Sequence, residues 1–514
     1  MDQQTVRSVV ILGGGTAGWM TAAALSRSLN GKVELTVVES DQIATVGVGE
    51  ATIPGILRFN DMLEIDEDEF LRETQGTIKL GIEFVDWTFL GDRYMHGFGR
   101  FRNEIQLTSF EQLWQKLRLA GKADVLPAYS ITKTAAYANK FMRPRLDLPE
   151  SPLADISYAF HFDAGLYAKY LRKYSEARGV VRREGKVVDV TLDGQTGDIR
   201  SLALESGEAL EGDFFVDCSG FRGRLIEEVF KTGYDDWTHW LPCDRAIAVA
   251  SAPTQPLLPF TRATARRAGW QWRIPQQHRI GNGHVFCSKF MSEDEATAVL
   301  LENLDGEPLA TPYPLRFVTG IRRKAWHRNC VAIGLSSGFL EPLESTSISL
   351  IQSSIFRLLA FFPAKVPSQV DIDEYNRLAR REFEHIRDFI TLHYHATTRN
   401  DSPLWDYTRT MEVPPSLRQK MDLFQSHGRL FTEANELFAQ GSWVQVMQGQ
   451  GLPPHGYNPI ADAIETKDLA EYFERVRTAI SKCVEIMPTH EEFIAANCKS
   501  SREGVIPKRA QAMR

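Results

Sequence analysis

The first forty residues alternate between short apolar runs and a helical pattern. Residues 6–12 form a largely β-branched apolar run, which predicts a buried parallel strand. A glycine-rich turn follows, and residues 19–29 have the spacing of a helix. Residues 33–38 form a second apolar run that ends at Glu39. The chain therefore begins with a predicted βαβ unit.

The rest of the chain predicts strands first and helices afterwards. Short apolar runs between residues 180 and 217, and again between residues 245 and 290, are separated by glycine- and proline-containing loops. After Ser345, apolar residues recur at helical spacing over residues 348–362, 373–393, 416–439 and 462–487. These patterns predict an α/β protein whose lobe at residues 346–498 is mostly helical, with a polar tail at residues 499–514.

Composition and charge narrow the possible classes. The 514 residues suffice for a large core, and the net charge of -7 argues against a nucleic-acid-binding protein. The 6 cysteines lack C-x-x-C spacing, which is typical of a reduced chain without a metal site. We find no signal region and no apolar run long enough for a bilayer, so we expect a cytoplasmic protein without a membrane partner.

The glycine-rich turn has the spacing of a dinucleotide fingerprint. Gly13, Gly15 and Gly18 form G-x-G-x-x-G between the predicted strand and helix, with Thr16 and Ala17 inside the turn. The glycines allow a tight turn, close approach to a pyrophosphate, and close helix–strand packing. Glu39, at the end of the second strand, is placed to bind a ribose hydroxyl. A glycine-rich turn of an ordinary α/β sheet is the alternative, and the motif does not separate FAD from NAD.

Two later segments favour FAD. Residues 215–220 and residues 330–338 each read as a strand that ends in a turn of small residues, and Leu335 lies in the second turn. Small residues permit close approach of the backbone to a ring system or to phosphates.

Five motifs occur in a fixed order along nearly the whole chain. They are GGGTAGW at residues 13–19, VGVGEATIP at residues 46–54, GTIKLGIEF around Lys79, WQWRIP at residues 270–275 and FLEPLESTSI at residues 339–348. In this combination the sequence resembles the flavin-dependent tryptophan halogenases. The W-x-W-x-I-P motif is the most specific, because it separates that family from flavin monooxygenases that share the cofactor fold.

The resemblance implies a fold, a cofactor and a reaction. The fold is the Rossmann-like FAD-binding fold of the flavin monooxygenases over residues 1–345, with an inserted substrate-side sheet at about residues 95–180 and 240–300. The reaction uses FADH2, O2 and bromide or chloride to form hypohalous acid, which halogenates an electron-rich arene. A separate flavin reductase supplies FADH2, and a homodimer is a possible assembly. The implied FAD contacts beyond the first turn are Val48, Gly49, Glu50, Ala51, Val187, Leu335 and Ile348.

The resemblance also assigns roles to individual residues. Lys79 directs the halogenating species, and Glu344 stabilises and deprotonates the halogenated arene. Trp270 and Trp272 keep the substrate away from the flavin. From the residues alone, Lys79 would more often be a solvated strand residue, the tryptophans would be sheet core, and Glu344 would be a helix cap.

The implied halide site consists of the backbone N–H groups of Thr346 and Ser347. A helix start suits an anion because its first N–H groups lack partners within the helix. Tryptophan halogenases typically have glycine where this chain has Ser347. We hypothesise that the added side chain weakens the use of chloride relative to bromide.

The substrate side departs from the family pattern. His96 and Phe98 match the family's H-x-F pair, which flanks the indole, and Pro342 and Trp443 are further expected substrate contacts. The segment at residues 442–450 lacks the paired tyrosines and the glutamate that hold the amino-acid part of tryptophan. We therefore expect indole or a simple indole derivative. A larger phenol, a peptide or a carrier-bound substrate stays open.

Other interpretations of the same residues predict different functions. A flavin monooxygenase would act on its aromatic substrate directly, and a non-catalytic relative would bind flavin and dock a carrier protein. Residues 334–338 match the G-x-S-x-G of serine hydrolases, but no helix is predicted directly after them. His393 and His395 are too close in sequence to share a helix face as metal ligands, which favours a packed or solvated helix end.

Overall fold

The structure is a computed structural model that describes residues 5–42, 49–101, 104–105 and 108–501. Within these ranges no helix is both long enough and apolar enough to cross a membrane. Val48 and most of the predicted polar tail lie outside the described residues.

Strands and helices alternate in the first two thirds of the chain, and helices dominate the last third. The strands β1 to β22 are, in chain order, Ser8–Leu12, Glu34–Glu39, Glu50–Ala51, Thr77–Lys79, Gly81–Val85, Arg93–Gly97, Ala159–Phe162, Val181–Glu184, Val187–Leu192, Ile199–Leu204, Ala209–Glu211, Phe214–Asp217, Tyr234–Asp236, Arg245–Ser251, Thr261–Arg266, Gly269–Pro275, Ile280–Phe286, Tyr313–Arg316, Gly320–Arg322, Trp326–His327, Cys330–Ala332 and Gly338–Phe339. The helices α1 to α14 are Thr16–Leu29, Gly55–Met62, Glu67–Glu73, Phe110–Leu119, Ile131–Tyr137, Ala164–Glu176, Glu293–Glu302, Ser347–Ala360, Gln369–His395, Pro403–Thr410, Pro415–His427, Gln440–Gly449, Thr466–Glu485 and His490–Asn497.

The amino-terminal βαβ unit lies at the centre of a six-stranded sheet. Its order is β20-β21-β12-β1-β2-β8, and β1 pairs in parallel with both β2 and β12. The predicted strand, helix and second strand are thus confirmed. The carboxyl ends of β1 and β12 meet at one edge of the sheet, which is where ligands bind in open α/β sheets.

A seven-stranded sheet forms the second layer. Its order is β18-β14-β17-β16-β15-β5-β6. The alternation of a strand places Trp270 and Trp272 of β16 on the same face, as the sequence predicts. The strands of this sheet come from residues 81–97 and 245–316, whereas much of residues 110–137 is helical. The division of the chain into domains stays a prediction.

The carboxy-terminal helices agree with the predicted lobe except in one segment. Residues 416–439 were expected to form one helix, but α11 ends at His427. Gly428 has a φ of 65°, in the left-handed region that favours glycine, and stops the helix there. A loop then leads to α12, which carries Trp443. The last of the apolar runs between residues 245 and 290 contributes β17 at Ile280–Phe286.

Candidate functional site

The candidate site forms around a sharp turn between β22 and α8. Pro342 begins a 3-10 turn that ends at Glu344, and Ser345 follows with a φ of 59°. A non-glycine residue in this left-handed region is uncommon, and such residues cluster at functional sites. The turn directs Glu344 and Ser345 towards strands that are distant in sequence.

Lys79, the last residue of β4, is completely buried beside this turn. Its Nζ donates a hydrogen bond to Ser345 Oγ at 2.6 Å and lies 5.2 Å from the centre of the Phe98 ring. Burial lowers the pKa of Lys79 to about 7, although the negative charge of Glu344 opposes that effect. The interpretation of Lys79 as a solvated strand residue is therefore wrong.

Glu344 lies between two histidines and is also fully buried. His96 Nδ1 is 2.8 Å from Glu344 Oε2, and His393 Nε2 is 2.9 Å from Glu344 Oε1. Burial alone would raise the pKa of Glu344, but the charges and hydrogen bonds of both histidines outweigh it and bring the pKa to about 2. The helix-cap alternative is wrong, because Thr346 is the N-cap residue of α8 and accepts no side-chain capping bond.

His393 is the residue of this cluster that the sequence analysis missed. Its Nδ1 lies 2.8 Å from the carbonyl oxygen of Phe389. Because a carbonyl only accepts, Nδ1 carries a proton, and Nε2 faces the Glu344 carboxylate, to which it donates only in the doubly protonated imidazolium form. His393 is therefore packed, not solvated, and it also contacts Glu344. Only the pairing of α9 with the turn reveals this contact, since no local motif connects the two segments.

Aromatic side chains pack against His96. The centres of the Phe389 and Phe438 rings lie 5.7 Å and 6.2 Å from the His96 ring. Phe389 stacks on Phe438 at 3.9 Å and meets the buried Trp443 edge-on at 4.8 Å. His96 and Trp443 were predicted as substrate residues, whereas Phe389 and Phe438 were not. These aromatic side chains suit contact with a flat, electron-rich ring.

The two tryptophans of W-x-W-x-I-P are buried on β16. The ring centres of Trp270 and Trp272 are 6.1 Å apart, and the Trp270 Nε1 donates to Glu341 Oε2 at 2.9 Å. Trp272 covers Gly283 on the neighbouring strand, where a Cβ would come within 2.1 Å of its ring. Both indoles are thus held in fixed positions.

The amino-terminal turn has the shape that an FAD pyrophosphate requires. A Cβ on Gly13 would lie 2.3 Å from the carbonyl oxygen of Cys218, and one on Gly18 would lie 1.8 Å from that of Gly13. Helix α1 begins at Thr16, directly after Gly15, so its first N–H groups point towards the turn. The arrangement leaves room only for a bare backbone, which fits the fingerprint.

The other predicted cofactor residues lie on several elements. Glu39 ends β2 and accepts from Arg182 at 2.5 Å and from Trp19 at 3.4 Å. Burial raises the pKa of Glu50 to about 7, with a further increase from Asp163. The remaining positions are Ala17 in α1, Gly49 before β3, Ala51 in β3, Val187 at the start of β9, Leu335 in a 3-10 turn and the buried Ile348 in α8.

The predicted halide residues stand at the start of α8. Thr346 is the N-cap residue and Ser347 is the first helical residue, so their N–H groups have no earlier helical carbonyl to bind. Thr346 Oγ1 is buried without a hydrogen-bond partner in the described part of the chain. The position beside Lys79 and Ser345 suits a small anion.

The competing catalytic motif has no catalytic geometry. Ser336, the serine of G-x-S-x-G, is buried and donates to the carbonyl oxygens of Asp217 and Ile333. A short strand, β22, follows it instead of a helix. Among the described residues, no group of His, Cys, Asp and Glu side chains could hold a metal ion.

Comparisons with known proteins agree on one family. The family model described as tryptophan halogenase matches residues 8–466. The tryptophan 6-halogenase ThaL of Streptomyces albogriseolus is 34% identical, covering 95% of this chain and 98% of the relative. Among solved structures, the flavin-dependent halogenase Xcc4156 of Xanthomonas campestris has a TM-score of 0.93 and 46% identity, covering 96% of this chain and 99% of its own. BrvH, a flavin-dependent halogenase of Brevundimonas sp. BAL3, has a TM-score of 0.92 and 45% identity, with coverages of 96% and 99%.

Proposed function

Because the chain belongs to the tryptophan halogenase family and is a flavin-dependent halogenase, we propose that it halogenates indole or a simple indole derivative at the Lys79–Glu344 site. The observation that carries the proposal is the buried cluster in which Ser345 binds Lys79 while His96 and His393 hold Glu344. Lys79 and Glu344 thus lie together near the start of α8, beside the aromatic rings of Phe389 and Phe438, where they would act as a cation and a general base.

The cofactor half of the proposal uses the amino-terminal turn. Gly13, Gly15 and Gly18 would hold the pyrophosphate of FAD, and Glu39 would bind a ribose hydroxyl. With O2, reduced FAD supplies the oxidising equivalents that convert bromide or chloride into hypohalous acid. The N–H groups of Thr346 and Ser347 would hold the halide.

Lys79 would deliver the halogen to the arene. Its Nζ is fixed by Ser345 at 2.6 Å and lies in a fully buried site. Because burial brings the pKa of Lys79 to about 7, the amine and the ammonium forms are both populated near neutral pH. The ammonium form can donate a hydrogen bond to the halogenating species, and the amine can accept the halogen.

Glu344 would stabilise the cationic halogenated arene and accept its ring proton. With a pKa of about 2, the carboxylate is ionised throughout the neutral range. Such a weak base suffices because a halogenated arene cation is itself a strong acid. His96 and His393 fix both carboxylate oxygens, so the base is oriented before the substrate arrives.

The substrate part of the proposal depends on the groups around α12. Glu436, on the segment before α12, is bound by Lys420 at 2.7 Å, and Glu344 is held by two histidines. Neither carboxylate is available to the ammonium group of tryptophan. Gln445 of α12 accepts from the Gly97 N–H at 3.1 Å, which ties that helix to the strand of His96. With these two carboxylates engaged, binding of a zwitterion costs the desolvation of its charges, so a neutral indole is favoured.

We expect halogenation of indole to exceed that of tryptophan by about 10²-fold in kcat/KM, which corresponds to the roughly 3 kcal/mol cost of leaving a buried charged group unpaired. The measurement is mass spectrometry of the products with halide, O2, FAD and a flavin reductase supplied. A bromine or chlorine isotope pattern distinguishes halogenation from hydroxylation by a monooxygenase. Equal use of both substrates would contradict the substrate proposal, and a lack of halogenated product from any arene would contradict the function.

Ser347 would affect the choice of halide. The variant Ser347→Gly is expected to raise the ratio of chlorination to bromination about threefold or more, because it opens the helix start while keeping the N–H donor. Competition assays with equal chloride and bromide measure this ratio. Ser353→Gly, at a half-buried position later in the same helix, is the control for a general loss of helix stability. An unchanged ratio in Ser347→Gly would refute the role of the side chain.

The partners of the reaction follow from the same proposal. A separate flavin reductase would supply FADH2, since no second dinucleotide fingerprint occurs in the sequence. We propose a cytoplasmic location, where reduced cysteines and reduced flavin are maintained. A homodimer is a possible assembly, and its test is the mass of the protein in solution.

A further inference from the structure

A second carboxylate, Glu341, is buried in the same segment as Glu344 and has no part in the proposed chemistry. Its Oε2 accepts hydrogen bonds from Trp270 Nε1 at 2.9 Å and from the Tyr394 hydroxyl at 2.6 Å. Its Oε1 is buried and has no hydrogen-bond partner among the described residues. An unpartnered buried carboxylate oxygen is costly, which calls for an explanation.

The hydrogen-bond network continues on the far side of Tyr394. The Tyr394 oxygen lies 3.4 Å from Cys243 Sγ. Because the tyrosine proton is donated to Glu341, the thiol donates to the tyrosine oxygen. The Tyr394 ring also packs against Trp87 at 5.4 Å and Trp405 at 5.9 Å, so two indoles fix the phenol.

Glu341 therefore joins three elements that build the site. Trp270 belongs to β16, Tyr394 belongs to the last turn of α9, and Glu341 itself belongs to the segment that carries Glu344. His393 directly precedes Tyr394 on α9 and contacts Glu344 at 2.9 Å. A movement of Glu341 would therefore shift the Trp270 indole and His393, which contacts Glu344, at the same time.

We propose that Glu341 is a positioning residue: it fixes the Trp270 indole and the His393 end of α9 against the Glu344 segment, and it thereby aligns the arene site with the halide site. The inference rests on the proposed function for its kinetic consequence. Its structural consequence, the protonation of a buried carboxyl group, does not depend on turnover.

The carboxyl group itself provides that structural readout. Burial raises the pKa of Glu341 to about 7, although the hydrogen bonds from Tyr394 and Trp270 partly oppose the change. The carboxyl group of Glu341 has an ordinary pKa of 4.5 in the unfolded chain and a pKa of about 7 in the folded protein, so the folded state binds more protons between these two pH values. Its stabilising contribution is present below about pH 4.5 and is lost as the pH rises through about 7.

The test compares Glu341→Gln and Glu341→Leu with the wild type. An amide oxygen can accept both hydrogen bonds and carries no charge, whereas leucine accepts neither. Glu382→Gln is the matched control. Glu382 is a half-buried carboxylate on another part of α9, and it pairs with Arg357 of α8 at 2.6 Å. We measure thermal unfolding of the flavin-free protein from about pH 5 to about pH 8, and halogenated product formed per reduced flavin consumed.

The expected results separate positioning from general stability. Between about pH 5 and pH 8, the wild type should lose stability relative to Glu341→Gln, while Glu382→Gln should follow the wild type. Glu341→Gln should keep product per flavin within about twofold, and Glu341→Leu should lower it about tenfold with less than a threefold change in the arene KM.

Other outcomes would overturn the inference. Parallel pH–stability curves for the wild type and Glu341→Gln would do so. So would a wild-type yield of product per flavin in Glu341→Leu, or a loss of product per flavin in Glu382→Gln equal to the loss in Glu341→Leu. If Glu341→Leu does not fold, Tyr394→Phe is tested instead, because this variant removes one hydrogen-bond donor to Glu341. Unchanged product per flavin in Tyr394→Phe would then contradict the inference. If the wild type halogenates no arene, the proposed function fails, while the pH–stability comparison still decides whether Glu341 is protonated.

Discussion

Lys79→Met is expected to reduce halogenation by about 10³-fold or more while FAD binding is retained. Removing one preorganised donor from a buried site costs on the order of 10²–10³ in rate, and Lys79 would also carry the halogen. Its Nζ is completely buried and fixed by Ser345 at 2.6 Å, so water does not replace it easily. The measurement is product formation at saturating arene, with FAD affinity determined separately.

Lys133→Met is the matched control for Lys79→Met. Lys133 is also a buried lysine whose pKa burial lowers to about 7, but it packs over Gly97 on the face of β6 opposite to His96. Its replacement should leave halogenation within about threefold of the wild type. Because deprotonation relieves the cost of the buried charge, both wild-type lysines should add stability as the pH rises from about 7 towards 10.5. Wild-type rates in Lys79→Met would remove Lys79 from the mechanism.

Glu344→Gln is expected to lower kcat about 10²–10⁴-fold, the usual range for a general base. The amide cannot accept the ring proton, and it leaves His96 and His393 without their anionic partner. Breaking a buried pair of this kind also destabilises the fold by about 3–5 kcal/mol. The measurements are single-turnover product formation and the free energy of unfolding.

The pH dependence of Glu344→Gln gives an independent check. The depressed pKa of Glu344 means that its stabilisation is present above about pH 4.5 and is lost as the pH falls through about 2. The stability gap between the wild type and the variant should therefore narrow in that acidic window. Glu83→Gln is the control, because Glu83 is buried between Arg93 and Arg262 on the outer face of the sheet. A larger loss of kcat in Glu83→Gln than in Glu344→Gln would contradict the assignment.

Several parts of the fold could be predicted because their signals are local. The G-x-G-x-x-G turn, the helix that follows it and the strand ending at Glu39 are encoded within forty residues, and the structure confirms each of them. The alternation of a strand likewise predicts that Trp270 and Trp272 share a face. The helix expected over residues 416–439 shows the limit, because its apolar spacing continues beyond the glycine that ends α11.

The contacts of Glu344 and His96 could not be predicted from local patterns. The sequence predicts a packed or solvated helix end at His393, and the residue is indeed buried, but its contact with one oxygen of Glu344 has no local signal. Phe389 and Phe438 form an aromatic wall beside His96 although no motif marks them. Their roles depend on how α9 packs against the turn at Pro342–Glu344, which is a long-range property of the fold.

The sequence by itself determined the family, the glycine-rich turn with its dinucleotide fingerprint and the identity of the residues at the helix start, since these are properties of short, ordered segments. The tertiary structure decided the ionisation of two glutamates of one motif. Glu344 has a pKa of about 2 because two histidines face it, whereas Glu341 has a pKa of about 7 because burial dominates over two neutral donors. The same residue type in the same turn has a depressed or a raised pKa according to the groups that distant elements bring to it.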